Sequence, residues 1–68
     1  MNTYILNARV IDADTMRIIT TLEIPHSGLD HRTIDTAHNA CQIWAENNNA
    51  KVISSGFSEY EFRAWVRK

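Results

Sequence analysis

The side chains of this chain that could do chemistry fall in two places. On a segment with helical spacing, His31, Asp35, His38 and Gln42 recur at intervals of four, three and four, so at about 100° per residue they form one polar stripe. Such a stripe could ligate zinc or respond to protonation near neutral pH. His31 and His38 stand two turns apart, however, and the simpler expectation is the solvated flank of an amphipathic helix, with no metal bound. Cys41, the single cysteine, lies on the apolar side of the same segment. It is expected to be a small core residue, and alone it forms no intramolecular disulfide.

The second place depends on strand parity. Ile5, Arg9, Ile11, Arg17, Ile19, Thr21, Arg63, Trp65 and Arg67 all occupy the odd positions of alternating segments, which turns them to the same side of a sheet. Trp and Arg are enriched at binding hot spots, and a guanidinium stacks on an indole. β-Branched residues favour strands whichever way they face. Four apolar residues interleaved with four Arg nevertheless favour a contact surface over ordinary strand composition.

Catalytic constellations are missing from the sequence: there is no nucleophile elbow, phosphate-cradling Gly loop, HExxH, CxxC or paired-carboxylate motif with a Gly-rich context. A chain of 68 residues also has little room for a catalytic pocket. The expectation is a protein that is not an enzyme and uses no cofactor.

The elements that must position these residues follow from periodicity. Residues 4–10 alternate, with Tyr4, Leu6, Ala8 and Val10 on one side, as a strand with one buried face does. A polar turn over residues 12–15 leads to a second β-branched run, 16–24, that should pair with the first as a hairpin, and Pro25 should close it. Ser27 or Asp30 can cap a helix over residues 28–47, whose apolar stripe is Ile34, Ala37, Cys41, Trp44 and Ala45. Asn47, Asn48 and Asn49 stop it, because Asn tolerates the left-handed conformation that ends helices. Ile43 projects opposite that stripe, a candidate partner edge.

Residues 51–57 read as a third strand, and 59–68 alternate Tyr60, Phe62, Ala64 and Val66 against Glu61, Arg63, Trp65 and Arg67, the pattern of a fourth. Ser58 and Glu61 also fit a helical capping box, which makes a short terminal helix the competing reading. The order strand, strand, helix, strand, strand predicts an α+β, two-layer domain: a four-stranded, mainly antiparallel sheet with one helix on one face. Tyr4, Leu6, Val10, Ile18, Leu22, Ile24, Tyr60, Phe62 and Val66 should then pack under the helix. The opposite face is left for water, a second copy or a partner.

Composition sets the limits. The chain has 68 residues with two Gly, one Pro and a formal net charge of −1, from which one compact domain and no second is expected. A domain this small buries only about 60% of the surface of its unfolded chain, so its margin of stability is thin. A pI near 6.2 gives nucleic acid no general attraction. The opening MNTYILNARV lacks the basic and apolar regions of a signal peptide, and no apolar run approaches the ~20 residues of a membrane span. A cytoplasmic protein with no membrane partner is expected.

In size and layout, compact, cysteine-poor and built as one helix on a small sheet, the whole chain resembles small accessory proteins of phages and prophages, including the anti-CRISPR class. The resemblance implies an inhibitor that occupies a surface on a host complex. The expected function is therefore a small protein-binding module acting through the open sheet face, on another protein or on a second copy of itself. Binding of single-stranded nucleic acid ranks second: Trp65 would stack a base and Arg9, Arg17, Arg63 and Arg67 would hold phosphates. A regulator that senses metal or pH through His31 and His38 ranks third.

Overall fold

The computed structural model describes residues 3–59 and 61–68. The alternating N-terminal segment forms strand β1 (Tyr4–Asp12), and the β-branched run forms β2 (Ile18–His26), antiparallel to it. Asp12 builds the turn between them, its Oδ1 accepting from the backbone N–H groups of Asp14 at 2.8 Å and Thr15 at 3.3 Å. The hairpin runs past Pro25, which pairs with Ile5 instead of closing the strand as expected. β2 lies at the edge of the sheet, where a missing N–H is tolerated.

Helix α1 (His31–Asn47) begins where the apolar period changes, capped by Asp30, whose carboxylate accepts from the Thr33 backbone N–H at 3.1 Å. The same bond, ahead of the partial desolvation that opposes it, holds the Asp30 carboxyl below the usual range. The asparagine run ends the helix as its chemistry requires: Asn48 is the C-cap, and Asn49 adopts a left-handed φ of 57°. The buried residues Thr33, Ala37, Cys41 and Ala45 recur every four positions. They are small, and they lie over a sheet whose central strands are small there too, at Ala8 and Ala64.

Strands β3 (Lys51–Ser58) and β4 (Glu61–Arg67) form the second hairpin. The final segment is a strand, and Ser58 and Glu61 face each other across the hairpin in place of capping a helix. The sheet order is β2-β1-β4-β3. Both hairpins are antiparallel, and β1 and β4 join them in parallel at the centre. Because α1 leaves one edge strand and returns the chain to the other, it must cross the sheet, and it does so on one face only. The fold is the expected α+β two-layer arrangement, with a mixed sheet.

Leu6, Val10, Ile24, Phe62 and Val66 pack under the helix as their parity requires, and Leu22 is half-buried beside them. Tyr60 lies outside the described residues. Two expectations fail. Tyr4 keeps its parity but sits at the end of the sheet, 53% exposed, against the ring of His26. Ile18 and Ile19 exchange roles: Val10 pairs with Thr20 and Ile11 with Ile18, so Ile19 is an unpaired extra residue. An extra residue at a bulge reverses the phase of every position beyond it. Ile18 consequently shares the open face with Ile11, and Ile19 lines a cleft with Trp44 and Val66 on the helix side.

Candidate functional site on the open sheet face

Among the described residues no element covers the second face of the sheet, and strand register arranges its side chains in rows. One row holds Thr21, Arg9, Arg63 and Gly56, and the next holds Ile18, Ile11, Trp65 and Ser54. A row on the other side holds Glu23, Asn7, Glu61 and Ser58, and at the far end Arg67 stands beside Lys51. Thus Arg9, Ile11, Arg63, Trp65, Thr21 and Arg67 share this face, as parity predicted, and Ile5 joins them at its end beside Pro25. Ile19 does not. Arg17 is exposed between the turn and the start of β2, outside the paired rows.

The apolar row is partly self-packed. Ile11 is only 8% exposed although no other layer covers it, Trp65 is half-buried, and Ile18 is left 54% exposed. The bulge therefore exchanges one isoleucine for another on this surface, and parity alone missed Ile18. Ile43, on the outer side of the helix, is exposed as expected, far from these rows in the layer order.

Electrostatics organise the neighbouring rows. Arg9 and Arg63 are directly opposite on adjacent strands, a placement that would repel if nothing intervened. Glu61 intervenes: one carboxylate oxygen accepts from Arg9 Nε, and the other accepts from Arg63 Nε at 2.6 Å, with Arg63 Nη2 in ion-pair contact at 2.5 Å. The hydrogen bonds from Arg9 and then Arg63 hold the Glu61 carboxyl below the usual glutamate range, against a smaller opposing effect of desolvation. The Glu61 side chain is 19% exposed, less than the two arginines it bonds, which are 35% and 42% exposed. Glu61 was not among the residues expected on this surface, although it shares the parity of Arg63 and Trp65.

Summed over the rows, four cations (Arg9, Lys51, Arg63, Arg67) meet two carboxylates (Glu23, Glu61), a formal +2 on one face of a chain whose total is −1. Of these, Arg67 is paired with Asp14 at 3.2 Å, and that carboxylate brings the local sum to +1.

The helical stripe is less organised. His38 Nδ1 lies 3.0 Å from the Ser55 hydroxyl, and His31, Asp35 and Gln42 are exposed. Among the described residues no group of three or more His, Cys, Asp or Glu side chains is placed to hold a metal ion. Cys41 is fully buried, and desolvation pushes its thiol up to about 11, which keeps it protonated and unreactive at neutral pH. Among the described residues no helix is long and apolar enough to cross a membrane. No family model, curated protein or solved structure matches the chain.

Proposed function

We propose that this chain is a small, non-enzymatic binding module that acts on another protein through the open face of its sheet. The observation that carries the reading is the row Ile18, Ile11 and Trp65, which presents an exposed isoleucine and a half-buried indole beside paired arginines on an uncovered face. A half-buried, well-supported aromatic with a neighbouring Arg is the composition of a binding hot spot. An inhibitor or adaptor that occupies a surface of a larger complex, the way of acting implied by the likeness to anti-CRISPR-type phage proteins, fits an uncovered sheet face of this kind.

Binding of single-stranded nucleic acid is the second reading, and the local excess of positive charge on the face favours it. Two features weigh against it. Trp65 is the one aromatic among the described residues of these rows, and both central arginines are already bonded to Glu61.

Light scattering at rising concentration, together with titration of a single-stranded oligonucleotide at low and high salt, separates the readings. A monomer with no salt-dependent oligonucleotide binding supports a foreign protein partner. A dimer abolished by Trp65→Ala identifies the occupant as a second copy, and salt-dependent oligonucleotide binding overturns the protein reading.

A further inference from the structure

Building on the proposed protein-binding role, the charge arrangement narrows the partner. We infer that Arg9, Glu61 and Arg63 form a receptor for a single carboxylate, and that the open face binds a protein segment carrying an acidic side chain beside an apolar one.

Each guanidinium has five N–H donors. Arg9 uses its Nε on Glu61 and a long 3.5 Å contact from Nη1 to Thr21, and Arg63 donates from Nε to Glu61 with Nη2 in the same ion pair. Three donors on each remain unspent among the described residues. Glu61 neutralises one of the two charges, bonds to both arginines from the neighbouring row and is less exposed than either, so it holds both guanidinium groups while each stays partly open to solvent. The cluster keeps a net charge of +1 with its donors already oriented, and bidentate carboxylate recognition depends on that orientation.

The neighbouring rows select which anion fits. On one side lie the carboxylates Glu23 and Glu61, and on the other lie Ile18, Ile11 and Trp65. A polyphosphate running along the strands would carry one charge to the arginines and the next toward an acidic or an apolar row. One discrete carboxylate avoids both. Adjacent rows are two residues apart, about 7 Å along the strands, which matches a carboxylate and an apolar side chain at positions i and i+2 of an extended segment. The net positive face on a −1 chain also steers an acidic segment to this side of the molecule.

The test is a two-dimensional NMR titration of the labelled protein, following the Arg Nε–Hε and Trp indole signals. Three probes are used: a blocked peptide of the repeat Glu-Ser-Leu-Ser, the same peptide with Gln for Glu, and oligothymidylate. The acidic peptide is expected to shift the Arg9, Arg63 and Trp65 signals, with the Gln peptide about tenfold weaker, the value of one charge-assisted hydrogen-bonded contact. Arg63→Lys keeps the charge and loses the fork, and is expected to erase that preference while leaving the backbone spectrum in place. If both peptides move Trp65 equally, the carboxylate receptor is wrong and the protein-binding face stands. If neither peptide moves any signal on the face, both ideas fall. If oligothymidylate binds more tightly than the acidic peptide, the anion is phosphate and the inference is overturned.

Discussion

The helix-covered face and the open face of the sheet are built from alternate residues of the same four strands, and they are held together by different means. Under the helix, Leu6, Ala8, Val10, Phe62, Ala64 and Val66 meet the small stripe Ala37, Cys41 and Ala45 in close packing with almost no exposure. On the open face, arginine stems, an indole and isoleucines shield one another, and a carboxylate links the two central cations. Water is excluded from the centre of the first face and only partly from the second. The first face therefore carries most of the stability, and the second is free to exchange its contacts with water for contacts with a partner.

Truncation should expose this difference most strongly at Phe62, the largest fully buried side chain. Phe62→Ala is expected to cost ~3–5 kcal/mol through lost transfer energy and a cavity. A domain of this length holds on the order of 5 kcal/mol in total, so circular dichroism should show an unfolded or very low-melting variant. A melt near that of the parent would mean that the covered face does not carry the fold.

On the open face, Trp65→Ala should leave a cooperative melt and remove partner binding or self-association by ~2 kcal/mol, about thirtyfold. Measured affinity and thermal stability then move independently. If the binding defect merely tracks unfolding, the two faces are not separable.

The boundary between the faces is sharpest at the bulge, where adjacent isoleucines point to opposite sides. Ile19→Asp introduces a carboxylate beside Trp44, Val66, Asp12 and Asp14 and should cost ~1–2 kcal/mol, whereas Ile18→Asp should stay within ~0.5 kcal/mol of the parent. Urea denaturation of the pair reads the order directly. The reverse order would restore unbroken alternation along β2.

The smallest effect expected is on pH dependence. The Glu61 carboxyl titrates lower in the folded chain than at the ordinary value of 4.5. Its contribution is complete above that value and is lost as pH falls through the lower, folded one. Glu61→Gln should therefore flatten the acid side of a plot of melting temperature against pH, leaving the part due to Asp30, which has the same sign. An unchanged acid limb would show that the arginine link on the open face adds nothing to stability.

The order of elements, the helix with its asparagine stop and the burial of Phe62, Val66 and Cys41 were legible in the sequence. Period and capping are properties of neighbouring residues, and any fold that buries one face must respect them. Local pattern did not reveal the parallel junction of β1 and β4, which sets Arg9 beside Arg63 and Ile11 beside Trp65 from positions more than fifty residues apart. Nor did it reveal the extra residue at Ile19, because a bulge is defined by the partner strand's hydrogen bonds and is silent in a sequence that is apolar at both positions. Residue types thus determined that this chain has an Ile, Trp and Arg surface. Only the pairing of distant strands decided which isoleucine belongs to it, and that a single glutamate would lie between its two central arginines.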